Sequence, residues 1–301
     1  MSSNFEQEAE KYVLEAERRL SQRSFLRFIF GSKIDAAINC YTTAGILYKK
    51  AEKWVESGGA FRRSAKLNVD IGQREKAAIL YANAANSFKQ CSPEVAEDCY
   101  LRSAMIYTDL DRFIMAANLH KAIAEMYENF DVVPREKVIE HYYIAAVDYS
   151  TDDSRAMADN CWAKLAAHRA LLGEHHIAAG IYEQNGFSCN ESKSSARRDM
   201  AKEYLFRAGL CYLCVNKINT QDIIDSYEGN FPGFQDSREG KFLSTIVSCV
   251  REKNSGAFEE AMEQYDNSSR LEPWHRCVLQ VIKEKIDSDV NLSRRVVIFD
   301  N

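Results

Sequence analysis

Proline is scarce: the 301-residue chain has four, and none interrupts a long periodic segment. Proline removes a backbone donor and blocks helix interiors, so this distribution leaves room for many unbroken helices. Each proline instead marks a boundary. Ser92-Pro93-Glu94 reads as an N-cap, a first helical position and an acid in the first turn. Pro134 and Pro273 read as helix starts, and Pro232 lies in the turn-like stretch FPGFQDS. Long apolar runs are missing too. The longest stretch without a charged residue, Ala36 to Tyr48, covers 13 residues and contains Asn39, Thr42 and Thr43. That is too short and too polar to span a bilayer. Acidic Glu6, Glu8 and Glu10 near the N-terminus contradict a secretory signal. A basic excess is also lacking: the net charge of −5 disfavours general nucleic-acid binding.

Catalytic signatures are absent as well. The chain has no GxxxxGK[ST] phosphate loop, no GxGxxG after a strand, no HExxH and no GxSxG. His175-His176 is the densest histidine cluster, but adjacent residues project about 100° apart on a helix and do not make the i, i+4 pair that zinc prefers. Nine cysteines is an odd count, and most of them, including Cys40, Cys99 and Cys249, fall in apolar helical patterns. They read as reduced core residues of an intracellular protein. Cys211 and Cys214 form a CxxC without a second CxxC or a strand nearby, which is weak support for zinc or redox chemistry. No enzyme, metal or cofactor is expected.

Apolar residues at helical spacing fill the chain, and alternating strand patterns are missing. Tyr41-x-x-Ala44-x-x-x-Tyr48 recurs as Tyr81-x-x-Ala84-x-x-x-Phe88 and as Tyr142-x-x-Ala145-x-x-x-Tyr149. A looser copy is Tyr100-x-x-Ser103-x-x-x-Tyr107. These three positions share one helix face, where a small residue admits a neighbouring helix between two aromatics. Partner helices are predicted over 54–67, 112–127 and 160–172. One hairpin per roughly 40 residues is the signature of an all-α solenoid of tetratricopeptide-like hairpins. A plain helical bundle is the alternative that spacing alone leaves open.

The stretches LEAERRL (14–20), YTDLDRFIMAA (107–117), IAEMYE (123–128), FPGFQDSREGKF (231–242) and YDNSSRLEPW (265–274) resemble the soluble NSF attachment proteins of the alpha type, in family order. The resemblance implies helical hairpins over 1–215, a C-terminal helical bundle over 216–292 and a flexible tail over 293–301. It implies an adaptor that hydrolyses nothing itself. Such a protein binds SNARE four-helix bundles with syntaxin-type subunits, recruits the NSF hexamer and stimulates disassembly in vesicle fusion, ER–Golgi traffic and intracellular protein transport. It would be monomeric alone, bind in several copies through a concave face, and sit in the cytoplasm and peripherally on membranes.

The segment SFLRFIFGSK (24–33) packs Phe25, Leu26, Phe28, Ile29 and Phe30 into six positions. Its only charged neighbours between Ser21 and Ile34 are Arg23, Arg27 and Lys33, which suits an anionic membrane surface. The resemblance implies a membrane-touching loop here. At about 2 kcal/mol per buried large apolar side chain, five give a useful, reversible affinity. Packing back onto the first hairpin is the competing reading.

Carried over position by position, the resemblance places Lys89 and Arg112 on the SNARE-facing surface. It implies lysine where this chain has Asn118 and Asn160, with Lys121 and Lys164 as neighbouring sources of charge. Arg238 and Glu252 match NSF-binding positions, whereas Ser248 and Arg251 replace acids. The segment 251–272 still holds six acids against three bases, as suits a basic partner. Leu292 matches the leucine that stimulates the NSF ATPase, but nine further residues follow it. The rival reading is a tetratricopeptide-like scaffold that clamps a peptide or helical partner outside the SNARE cycle. Against it, Lys66, Lys89, Arg102, Arg112 and Lys164 are spread over several hairpins, as a long rod-shaped target requires.

Overall fold

The structure is a computed structural model that describes residues 2–21, 27–215 and 220–299, the side chains of 2, 3, 27–32, 220 and 290–299 excepted. Among these residues there are fourteen α-helices and no strand. The chain divides into two compact units, Met1–Ala158 and Asp159–Asn301.

The first unit contains α1 (Ser2–Ser21), α2 (Arg27–Lys50), α3 (Trp54–Asp70), α4 (Arg74–Phe88), α5 (Pro93–Asp109), α6 (Phe113–Glu128) and α7 (Arg135–Thr151). Each packs chiefly on its sequence neighbours, the nearest-neighbour arrangement of a helical-hairpin solenoid. All twelve residues of the four aromatic-small-aromatic motifs are buried, none more than 7% exposed. The small positions do what the spacing predicts. Ser103 donates to the Ala78 carbonyl at 2.8 Å, and Ser57 bonds both Gly45 O and Ser87 Oγ at 2.9 Å. A Cβ at Gly58 would stand 2.6 Å from the Phe88 ring, so α3 and α4 approach there only because that atom is missing.

The turns repeat as well. Lys53, Gln73, Arg112 and Ser154 send their N–H groups back to the carbonyls of Tyr48, Asn68, Tyr107 and Tyr149 at 2.8 to 2.9 Å. This is the six-to-one bond of a Schellman motif, and it requires a left-handed residue just before the donor. Glu52, Gly72, Asp111 and Asp153 supply it. The prolines fall at helix boundaries: Pro93 opens α5, Pro134 precedes α7, and Pro232 lies in a turn. Ser92 occupies the N-cap of α5, but its hydroxyl makes no capping bond, so only its carbonyl serves the helix start.

The division between the units falls inside α8 (Arg155–Leu171). The second unit goes on with α9 (His175–Asn190), α10 (Ser195–Val215), α11 (Thr220–Asn230), α12 (Arg238–Glu252), α13 (Ser255–Ser269) and α14 (Pro273–Phe299). Here α10 is the hub, in contact with α9, α11, α12 and α14. It is apolar nearly all round, from Tyr204 and Phe206 to Leu213 and Cys214, as a helix covered on several sides must be. The expected division at 215/216 coincides with the end of α10, a helix that pairs with α9 and also joins the helices after it. At the C-terminus, the backbone of α14 stays helical through Leu292 to Phe299, where the sequence suggests a tail.

Candidate functional site

The exposed face of α4 and α6 follows from the same spacing that buries the motif residues. Ile79, Asn83 and Asn86 in α4, and Met115, Asn118 and Glu125 in α6, recur at intervals of three, four or seven residues and face solvent. Lys89 is exposed just after the last turn of α4, and Arg112 just before the first turn of α6. The two flank opposite ends of α5, about 25 Å apart along a 17-residue helix, so they do not form one cluster. Lys121 lies one turn from Asn118 and pairs with Glu125 at 3.4 Å, an exposed contact worth only a few tenths of a kcal/mol.

Asn118 has a second role that the charge-based reading missed. Its Oδ1 accepts from the hydroxyl of Tyr149 at 2.6 Å. Tyr149 is 1% exposed, so this asparagine serves a buried tyrosine. A sequence signal exists: the last motif position is Tyr149 where the second copy has Phe88, and a buried hydroxyl needs a partner. The face is also less purely polar than expected, since Ile46, Ile79 and Met115 are 47%, 49% and 44% exposed. In the second unit, Asn160 and Lys164 stand one turn apart on α8, both exposed.

Of the apolar N-terminal cluster, Phe25 and Leu26 lie outside the described residues. Phe28, Ile29 and Phe30 fall in the first turn of α2, whose backbone is helical from Arg27, but their side chains also lie outside the described residues. The expected loop over 24–33 is thus helix from 27 onward. Apart from Gly31, nothing in RFIFGSK resists a helix, and one glycine costs only about 1 kcal/mol. Among the described residues no helix is long and apolar enough to cross a membrane.

Arg238 and Glu252 begin and end α12 and are exposed, so one helix length separates them. The Arg238 guanidinium donates to Ser269 Oγ at 2.9 Å. The acidic excess over 251–272 is smaller in space than in sequence. Glu259 pairs with Lys283, Asp266 with Arg276 and Glu272 with Arg207. Glu252, Glu260 and Glu263 are exposed. The side chain of Leu292 lies outside the described residues.

Two of the resembling stretches prove to be packing devices. In FPGFQDSREGKF, Phe234 is fully buried edge-on against Tyr227, and Glu228 accepts the N–H groups of Gly233 and Gln235 at 2.7 and 2.9 Å. Ser237 caps α12 by accepting from Gly240 N. A Cβ at Gly240 would lie 2.1 Å from the Phe234 carbonyl, so only glycine fits. In YDNSSRLEPW, Tyr265 stacks on Phe242 at 4.3 Å, Asp266 accepts from Leu271 N at 2.7 Å, and Trp274 Nε1 donates to Ala167 O at 3.3 Å. Beside them lies a partly buried ionic network: Glu203 contacts Arg207 at 2.6 Å and His275 at 3.1 Å. Burial alone would raise the Glu203 pKa, but the bonds from His275 and Arg207 hold it at about 2.

The thiols of the CxxC are buried. Burial pushes the Cys211 pKa well up and that of Cys214 to about 12, so both stay protonated and poorly nucleophilic. His175 and His176 open α9 and diverge, the first partly buried and the second exposed.

The family model described as "Soluble NSF attachment protein, SNAP" matches residues 7–287. The alpha-soluble NSF attachment protein of Homo sapiens is 37% identical, over 96% of this chain and 98% of that protein. The beta-soluble NSF attachment protein of Bos taurus is likewise 37% identical, over 94% and 95% of the two chains. The alpha protein of Saccharomyces cerevisiae is 28% identical over 87% and 90%. With the hairpin array and both packing motifs in place, the chain belongs to the soluble NSF attachment protein family.

Proposed function

We propose that this protein is an adaptor, not an enzyme. It binds assembled SNARE four-helix bundles, recruits the NSF hexamer and stimulates disassembly of the bundle in vesicle fusion and intracellular transport. The observation that carries this reading is the likeness to alpha-type attachment proteins over almost the full length of both chains. A stack of hairpins supports it physically, because it offers a long surface to a rod-shaped partner.

Lys89, Arg112, Asn118 and Lys121 of the first unit, and Asn160 and Lys164 of the second, contact the SNARE bundle. Arg238 and Glu252 contact NSF, and Leu292 stimulates its ATPase. Residues 25–30 touch the anionic cytoplasmic face of a membrane, and several copies act on one bundle. The division into 1–215, 216–292 and 293–301 belongs to the same proposal.

The test mixes the protein with an assembled SNARE complex, NSF and ATP. ATP-dependent disassembly is expected, and its absence sinks the reading. Serine at Phe25, Phe28 and Phe30 should slow disassembly of membrane-anchored complexes and spare soluble ones; equal loss on both would make these residues core. Leu292→Ala should lower NSF turnover without loss of attachment. If only truncation after Arg294 does so, the anchor lies in Val297, Ile298 and Phe299 instead.

A further inference from the structure

The outward-facing rows of α3, α5 and α7 are set in register by bonds between helices. Ser64 Oγ donates to Ile38 O at 3.2 Å and Ser103 Oγ to Ala78 O at 2.8 Å, so the two serines hold equivalent places in α3 and α5. Ala145 holds that place in α7, by the aromatic-small-aromatic motif. Glu97 of α5 bonds Lys137 and His141 of α7 at 2.7 and 3.3 Å, which puts it level with Ile139 between them, as the motif requires.

In this register Leu101 lies beside Tyr143, and Met105 beside Val147. The four are 38%, 52%, 62% and 41% exposed. The equivalent places in α3 hold Arg62 and Lys66, both exposed, so the apolar group belongs to α5 and α7 alone among these rows. Single apolar side chains are ordinary on a surface, whereas a contiguous group on adjacent helices marks an interaction site. The helices α4 and α6 alternate with α5 and α7 in the stack, so this face points away from Asn118 and Met115.

The rim selects the partner. Over the two turns before the apolar group, Glu94 on α5 and Glu136 and Glu140 on α7 are exposed. Among the described residues none of the three is in an ion pair, whereas Asp98 is neutralised by Arg102 at 2.9 Å and Glu97 by Lys137. Three uncompensated acids disfavour an anionic membrane and favour bases. Shape points to a helix. Neighbouring helices about 10 Å apart leave a groove that a third helix fills, and Glu136 to Val147 spans about 17 Å, or three turns.

We propose that this face binds an amphipathic helix of a partner protein. Two apolar turns of that helix cover Leu101, Met105, Tyr143 and Val147, and a basic turn covers Glu94, Glu136 and Glu140. The face lies outside the surface assigned to SNARE binding, so both are occupied at once.

The test is a selection of displayed helical peptides of about 15 residues on the full chain. Leucine is fixed at two i, i+4 pairs, and the flanking turns are randomised among lysine, glutamate and glutamine. Selected peptides should carry lysine in one flanking turn and bind more weakly as salt is added. Leu101→Ser, Met105→Ser, Tyr143→Ser and Val147→Ser combined should weaken them by about tenfold or more. Met105→Ser alone, on the most exposed of the four, gives the comparison should the combined variant melt early. Glu94→Lys, Glu136→Lys and Glu140→Lys together should turn the preference to glutamate. A pre-bound SNARE complex should leave peptide affinity within about twofold. The proposal is overturned if no selected peptide depends on the four apolar residues, or if glutamate is enriched on the unaltered chain. It is also overturned if the SNARE complex displaces the peptide, which would merge the two faces. Self-association in sedimentation that Met105→Ser removes would assign the face to a second copy. Sedimentation with phosphatidylserine vesicles that Met105→Ser removes would assign it to a membrane. Failure of SNARE disassembly with peptide binding intact would strike the adaptor reading alone.

Discussion

The two units are built from similar helices by different rules. In Met1–Ala158 each helix meets its sequence neighbours, and small residues opposite aromatics repeat from hairpin to hairpin. In Asp159–Asn301 one helix, α10, collects contacts from helices far along the chain, and its core is joined by aromatic clusters such as Phe206 with Phe242 and Tyr265. A stack is stabilised as a sum of local interfaces, whereas a hub is stabilised as a whole. The first kind tolerates local opening; the second loses everything together.

The sharpest way to break this comparison is to delete one buried ring from each unit. Phe206→Ala and Tyr142→Ala remove fully buried aromatics and should each cost about 3–5 kcal/mol. Hydrogen exchange should report the difference. Phe206→Ala should strip protection from α10, α12, α13 and α14 together, while Tyr142→Ala should act mainly on α6 and α7. Loss of protection as far as α1–α3 in the Tyr142 variant would show that the first unit is not a nearest-neighbour stack.

Acid should separate the units next. His120 and His141 stack with their Nδ1 atoms 3.1 Å apart, and His141 Nε2 meets Glu97, which also binds Lys137 and Tyr127. Burial and the neighbouring His141 lower the His120 pKa from 6.5 to about 4. The unfolded chain therefore takes up this proton first. Stability from His120 is complete above pH 6.5 and falls by about 3 kcal/mol by pH 4. Glu203 in the second unit is depressed from 4.5 to about 2, so its contribution is complete above pH 4.5 and is lost below. Between pH 6.5 and 4.5, hydrogen exchange should weaken chiefly in the first unit, although burial also lowers the His175 pKa in the second, and His120→Gln should flatten the slope of the first unit. An unchanged slope in the variant would assign the effect elsewhere.

A smaller effect compares the two asparagines. Asn160→Lys adds charge to an exposed side chain and should tighten SNARE binding several-fold at low salt, less so at high salt. Asn118→Lys adds the same charge but removes the acceptor of Tyr149, costing about 1 kcal/mol of stability. Charge reversal at Lys89 and Arg112 should weaken binding. Tighter binding by the native asparagines, or affinity indifferent to salt, would place the interface elsewhere.

The smallest change tests the turns. Glu52 and Asp111 hold positive φ where Gly72 does the same work. Glycine at either should raise the free energy of unfolding measured in urea by about 0.5–1 kcal/mol, and Gly72→Ala should lower it by a similar amount. A loss of stability in both glycine variants would mean that their side chains matter more than the backbone strain.

Helices in the first unit and at the start of the second could be read almost directly from the chain because their partners are near in sequence. The expected helices at 54–67, 112–127 and 160–172 became Trp54–Asp70, Phe113–Glu128 and Arg155–Leu171. The turns before these helices are set by left-handed Glu52, Asp111 and Asp153, which no glycine announces, whereas Gly72 and Gly173 follow the first and the third. The candidate surfaces were only partly legible. Exposure of Lys89 and Arg112 follows from helical spacing, but their separation by the length of α5 does not. The pairing of Asn118 with Tyr149, 31 residues apart, depends on which turn of α6 meets which turn of α7.

What the sequence determined alone is the local part: helix content, the period of the hairpins, and the buried face of each motif. These depend on residues within a turn or two of one another, so spacing encodes them. What only the tertiary structure decided is long-range. Arg207 and Glu272 pair across 65 residues, and Trp274 reaches Ala167 across 107. Such contacts are set by the packing of whole helices, and no local pattern records which distant side chain will arrive.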